Sequence, residues 1–181
     1  YSGVIEEVGQ GQLQFKHLTF HEYLAAARLA ASERRDWWTI VKERLQDLQW
    51  RETIDLFPGC LLDRERGATS DADHLVRQVH ALSPHESPLL RAARITAITG
   101  RFLPAFRCAK YQFPEDLARH DAELRAEAGA IFTREGAAKV EEQVRIAAAE
   151  AIGIAGDARI AAGRFEANLI AVKGTRVRLG K

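Results

Sequence analysis

Residues 15–26 read FKHLTFHEYLAA and join a β-prone segment directly to a helix. Upstream, two short β-prone runs at residues 4–8 and 13–17 flank the tripeptide GQG at residues 9–11, which is a hairpin signal. The second run alternates apolar and polar residues, as expected for a strand with one covered face. The sequence therefore predicts a β-hairpin that passes into a helix without a linker.

The start of that helix carries a capping pattern. Thr19 is predicted as the N-cap, and Glu22, three residues later, completes a capping box. An apolar face follows at helical spacing and comprises Phe20, Tyr23, Leu24, Ala27 and Ala31. A rigid hairpin, cap and helix in this order suit the outer wing of a winged helix that continues into a helical domain.

The same stretch resembles the signature at the end of the winged-helix region in NACHT-type STAND NTPases, the class that includes the NOD-like receptors. The resemblance implies that His17 approaches the phosphates of bound ADP across a domain interface and acts as a nucleotide sensor. The plainer alternative is a histidine that caps or packs the end of the strand. His17 and His21 have metal-ligand spacing, but His17 precedes the predicted cap, so a shared helical face and a metal site are not expected.

The chain lacks the motifs of an NTPase. No Gly-x-x-x-x-Gly-Lys-(Ser or Thr) loop is present, and Cys-x-x-Cys, His-Glu-x-x-His and Gly-x-Ser-x-Gly are absent as well. The chain also contains no methionine. We therefore expect a non-catalytic segment of a longer switch protein, in which ATP or ADP and Mg²⁺ would bind to a separate nucleotide-binding domain.

The remainder of the chain predicts mainly helices. We expect them near residues 37–46, 49–62, 71–82, 89–102, 115–132 and 133–155. Pro58 should kink or divide the second of these, and residues 104–114 should be irregular because they are rich in proline and aromatic residues. Ser87 and Pro88 form a helix-start signal, and Thr133 is expected to cap the last long helix.

Residues 144–159 read VRIAAAEAIGIAGDAR and resemble the second helix of a HEAT-type repeat. The small residues would let neighbouring helices approach closely, and Asp157 with Arg159 would tie one turn to the next. One clear copy is present, so the sequence does not predict a long solenoid.

The last residues of the chain are β-prone, unlike the predicted helices before them. Residues 168–172 are β-prone, and residues 172–180 read VKGTRVRLG. This segment loosely resembles the opening strands of a formylglycine-generating-enzyme-like, sulfatase-modifying domain. Lys173, Arg176, Arg178 and Lys181 would form a solvated strand face.

Composition excludes several classes of function. The chain has 181 residues, of which 46% are hydrophobic and 28% charged, which is typical of a soluble globular protein. Its net charge of +1 gives no overall electrostatic attraction to nucleic acid or to an anionic membrane. Two distant cysteines favour a reducing cytoplasm, and no apolar run has the length of a membrane span. Tryptophans at positions 37, 38 and 50 lie near arginines, but neighbouring acidic residues favour a core role over nucleic-acid binding.

The sequence thus predicts a mainly α fold, a helical bundle or HEAT-like array with a short N-terminal β-hairpin and a short β-prone C-terminal tail. We expect the end of a winged-helix hairpin at residues 1–18 and a helical domain at 19–113. A HEAT-like helical pair should follow at 114–162, and a linker or the start of another domain at 163–181. The expected function is signal transduction in a bacterial NACHT-type protein, which would dock on its own nucleotide-binding domain and oligomerise when active. The alternatives are a free-standing HEAT-like interaction scaffold and a linker to a formylglycine-generating-like domain.

Overall fold

A short β-hairpin precedes a set of packed helices in the computed structural model, which describes residues 5–9, 11–15, 17–63, 69–157 and 159–160. Strand β1 is Ile5–Gly9 and strand β2 is Gln12–Phe15, and they pair antiparallel with Ile5 opposite Phe15. Gly11 has a φ of +73° in the turn, a conformation that glycine adopts without steric cost. The predicted hairpin is therefore confirmed.

Eight α-helices lie within the described residues. Their bounds are α1 Leu18–Ala30, α2 Arg34–Arg44, α3 Arg51–Leu62, α4 Thr69–His80, α5 Pro88–Cys108, α6 Glu115–Ala128, α7 Arg134–Ala137 and α8 Glu142–Ala155. Short 3₁₀ turns precede α3 at Leu48–Trp50 and follow α6 at Gly129–Phe132. The mainly helical class predicted from the sequence is confirmed.

Helix α5 is the centre of the fold. It packs against α3, α4, α6 and α8, while α3 in turn contacts α1 and α2. The core that these helices share includes Trp37, Ile54, Phe57, Leu61, Leu75, Val79, Ile95 and Phe102, all essentially inaccessible to solvent. A long helix that is buried on several sides can hold elements from both halves of the chain in one core.

Arginines on α5 bind carbonyl groups at the ends of three other helices. Arg91 donates to the carbonyl oxygen of His80, the last residue of α4, at 2.5 Å, and to that of Leu82 just after the helix at 3.2 Å. Arg101 donates to the carbonyl of Leu45, the C-cap of α2, at 2.9 Å. Arg107 donates to the carbonyl of Ile154 near the end of α8 at 2.5 Å. Because the last carbonyls of a helix lack intrahelical partners, α5 satisfies groups that would otherwise need water.

Two prolines lie inside helices, where the sequence predicted a kink or division at Pro58 and irregular chain from Pro104. Helix α3 continues through Pro58 without a division, and α5 continues through Pro104 to Cys108, although residues 104–108 were predicted to be irregular. Each proline removes one backbone hydrogen bond. Phe57, Phe102 and Phe106 near these prolines are buried, and burial of large aromatic side chains offsets the loss of a hydrogen bond.

The last predicted helix is divided in the structure. Thr133 caps it as expected, since its Oγ1 accepts from the Gly136 backbone N–H at 3.0 Å. That helix is α7, however, and it ends at Ala137. The chain then buries Val140 and takes extended backbone at Glu141 before α8 begins. Burial of Val140 and the extended residue after it explain the division.

A HEAT-like pair over residues 114–162 is not confirmed. The main neighbour of α8 is α5, which lies outside that range, rather than α6. The two helices meet at Gly100, where an added Cβ would lie 2.1 Å from the Cβ and 2.7 Å from the Cα of Ala151. The small residues of α8 do permit close packing, as the sequence predicted, but the partner is a helix from the preceding region. The predicted β-prone tail at 163–181 lies outside the described residues.

We predict that Gly100→Ala lowers the free energy of unfolding by about 1–3 kcal/mol, because the new methyl group must push the backbone of α8 away. Gly153→Ala on α8 is the matched control, since no atom lies within 4 Å of its added Cβ. That change should stabilise the protein by about 0.5–1 kcal/mol through helix propensity. Urea denaturation measures both, and equal effects of the two substitutions would contradict the close contact.

Candidate functional site

Helix α1 has one covered and one exposed apolar face. Ala26, Leu29 and Ala30 are buried, and the helix packs against α3. On the other side Phe20 and Tyr23 are 44% and 45% exposed. Leu24 is 49% exposed and Leu18, at the start of the helix, 68%. We call Phe20, Tyr23 and Leu24 the α1 surface.

The apolar face predicted from the sequence is this exposed surface rather than the one buried against α3. Alanine at positions 26 and 30 lets the backbone of α1 approach α3 closely, so the small side chains occupy the interior. The large side chains of Phe20, Tyr23 and Leu24 then point away from the core. Clustered large apolar side chains on a surface are typical of a contact with another molecule or domain.

The predicted capping box is wrong. Helix α1 begins at Leu18, and its N-cap is His17, with extended backbone at φ −123° and ψ 124° and no hydrogen bond from a capping side chain. Thr19 is therefore already inside the first turn, and Glu22 lies too far along the helix for the reciprocal bond. The backbone N–H of Phe20 bonds to the His17 carbonyl at 3.1 Å instead. The extended backbone at His17, only two residues after β2 ends, starts the helix earlier than the side-chain pattern indicated.

His17 lies at the edge of the α1 surface. Its side chain is exposed, and its ring centroid is 6.0 Å from that of Phe20. Neither ring nitrogen makes a hydrogen bond or ion pair with a described residue. His21 packs instead near Phe15 of β2, with ring centroids 5.8 Å apart. The imidazole of His17 is thus available to a group outside the described part of the chain.

Asp157 and Arg159 pair within a single loop after α8. The Asp157 carboxylate accepts from the Arg159 backbone N–H and from its Nε, both at 2.9 Å. The Arg159 guanidinium lies 3.3 Å from the ring centroid of Phe132, in the 3₁₀ turn after α6. The pair therefore fixes the chain after α8 against that turn.

The tryptophans have structural roles. Trp37 is fully buried, with its ring centroid 5.2 Å from Phe57 and 5.7 Å from His74. Trp50 is half-buried and lies 5.4 Å from the Arg44 guanidinium. In the part of the chain that the structure describes, no three histidine, cysteine or acidic residues form a metal site. No helix there has the length and apolar character to cross a membrane.

One polar cluster, with His80 and Asp121 buried at its centre, was not predicted from the sequence. His80 on α4 lies 3.6 Å from Asp121 on α6, and the Asp121 carboxylate pairs with Arg125 at 3.0 Å. His120 lies beside His80, with ring centroids 5.0 Å apart. The residues of α4 and α6 are far apart in sequence, so no motif spacing could have identified the cluster. His80 and Asp121 connect α4 to α6 in the interior.

Comparison of the chain with protein-family models, with curated proteins and with solved structures finds no match. The site is therefore defined by its own geometry, an exposed apolar helix face with an available histidine at its start.

Two leucines of α1 provide a matched test of the two faces. Leu29→Ala should lower the free energy of unfolding by about 2–4 kcal/mol, because Leu29 is 8% exposed and leaves a cavity. Leu24→Ala should cost less than about 1 kcal/mol, because half of that side chain already contacts water. Thermal and urea denaturation of the two variants measure the difference. A larger loss for Leu24 would show that the α1 surface belongs to the core.

The pKa of Asp157 gives a second test. The Arg159 side chain, and then its backbone N–H, lower that pKa from 3.8 to about 2. Because the folded pKa is the lower one, the pair stabilises the loop at pH values above about 4. That contribution is lost as the pH falls towards about 2. Arg159→Gln should raise the pKa of Asp157, which carboxyl NMR titration measures, and an unchanged pKa would exclude Arg159 as the main cause.

Proposed function

We propose that this chain is a non-catalytic regulatory segment of a NACHT-type STAND NTPase of bacterial defence. It would couple nucleotide state or ligand sensing to oligomerisation in the cytoplasm. The observation that carries the proposal is the α1 surface, which exposes large apolar side chains immediately after His17. The resemblance of residues 15–26 to the end of a NACHT winged helix supports the same function.

The α1 surface suits a reversible contact between domains. Helix α1 packs on α3 through Ala26, Leu29 and Ala30, so it keeps its helix whether or not the surface is covered. Release of a partner domain would therefore expose this apolar surface to water, which is unfavourable, but it would not unfold α1. A resting state with the nucleotide-binding domain docked and an active state with it released both fit this arrangement.

His17 suits contact with a phosphate at the edge of that interface. It precedes the first turn of α1, where backbone N–H groups and the helix dipole favour an anion. An imidazole donates one hydrogen bond when neutral and gains a positive charge when protonated. In the proposed protein, ATP or ADP and Mg²⁺ bind to the separate nucleotide-binding domain, and His17 contributes one contact across the interface.

The test uses the protein in which this segment is joined to a nucleotide-binding domain. His17→Ala should weaken ADP retention on the order of tenfold or more, the effect of one lost charge-assisted hydrogen bond. Leu24→Asp should instead release the docked domain and raise the oligomer fraction. Nucleotide content of the purified protein and size-exclusion chromatography with light scattering measure the two effects.

Leu48→Asp is the control, because Leu48 is a leucine that is 82% exposed at a different place, in the 3₁₀ turn before α3. It should change neither nucleotide retention nor the oligomer fraction. The proposal fails if no nucleotide-binding domain accompanies this segment, in which case the α1 surface would serve an interaction scaffold. It also fails if Leu24→Asp and Leu48→Asp behave alike.

A further inference from the structure

Basic side chains border the α1 surface on one side. His17, His21, Leu24 and Arg28 follow one another at intervals of four, three and four residues, so they share one side of the helix. The three basic side chains are exposed. None of them pairs with a carboxylate among the described residues. We call His17, His21 and Arg28 the basic row.

The outward side of α1 carries no carboxylate of its own. Glu22 is the single acidic residue of α1, and it lies four residues before the buried Ala26, on the side that packs against α3. It is half-buried there. The outward side therefore combines large apolar side chains with hydrogen-bond donors and positive charge. Such a face repels a basic partner and attracts an acidic one.

The apolar part of this side has the length and spacing of a helix-binding face. Phe20, Leu24, Ala27 and Ala31 recur at intervals of four, three and four residues, beside the basic row. They extend over about 16 Å, which is about three helical turns. A second helix packs well on such a row, because the side chains of each helix fill the spaces between those of the other.

We propose that the α1 surface binds an amphipathic helix with acidic flanks. The apolar side chains of that helix cover Phe20, Tyr23 and Leu24, and its carboxylates accept hydrogen bonds from the basic row. The guanidinium of Arg28 is always charged, and a neutral histidine still donates one hydrogen bond. This inference rests on the proposed function for the place of the partner, which is the docked domain, and it adds the chemistry of the contact.

The test titrates a helical peptide of about three turns into the isotope-labelled chain. The peptide carries leucine at helical spacing with glutamate on both flanks, and the control peptide has the same leucines with lysine in place of each glutamate. The acidic peptide should give saturable NMR shift changes at residues 17–31 and bind at least about tenfold more tightly than the control. Equal binding of the two peptides, or binding of neither, overturns the proposal.

Reversal of one charge locates the contact. Arg28→Glu should weaken binding of the acidic peptide about tenfold or more and strengthen binding of the lysine peptide. Arg119→Glu on α6 is the matched control, since Arg119 is also exposed and has no ion pair with a described residue. It should change both affinities less than about threefold, because charges far from the contact are screened. Equal effects of the two variants would overturn the assignment to α1.

Two other occupants of the α1 surface would give different results. Anionic lipid vesicles that bind the chain more tightly than the acidic peptide does would show that the partner is a membrane surface. A mass that rises with concentration in sedimentation equilibrium, and no longer does so in Leu24→Asp, would show that it is a second copy. Either result overturns the proposal. The proposed function is read from nucleotide content and oligomer fraction instead, so its failure is distinguishable from the failure of this inference.

Discussion

The structure depends on the approach of α8 to α5 at Gly100. Only a residue without a side chain allows the Ala151 backbone to lie where a Cβ would otherwise be. This contact places α8 against the central helix instead of leaving it to pair with α6.

Hydrogen bonds from arginines of α5 stabilise the helix ends in addition to the apolar packing of the core. Arg91, Arg101 and Arg107 extend from α5 to carbonyl groups at the ends of α4, α2 and α8. Helix ends need partners for their last carbonyls, and a central helix with long cationic side chains supplies them without a separate cap for each end. The same helix therefore organises both the core and the helix termini. Arg94, on the same helix, differs because its Nε has no acceptor among the described residues.

Helix α1 shows how packing can separate stability from interaction. Its alanines and Leu29 hold it on α3, and its largest apolar side chains stay accessible. Because small residues face the core, the large apolar residues remain on the surface, where they can contact a partner domain reversibly. This division is the physical basis for the proposed switch, because docking at the α1 surface need not change the fold of the chain.

The sequence alone determined the hairpin, the mainly helical class, the Pro88 start of α5 and the Thr133 cap, because each depends on local backbone preferences. It also identified the apolar face of α1 and His17 before it. Only the tertiary structure decided which face of α1 is buried and that Pro58 and Pro104 lie within continuous helices. It alone paired α8 with α5 and brought His80 to Asp121. These features arise from contacts between residues distant in sequence, where the packing of neighbouring helices outweighs local propensity.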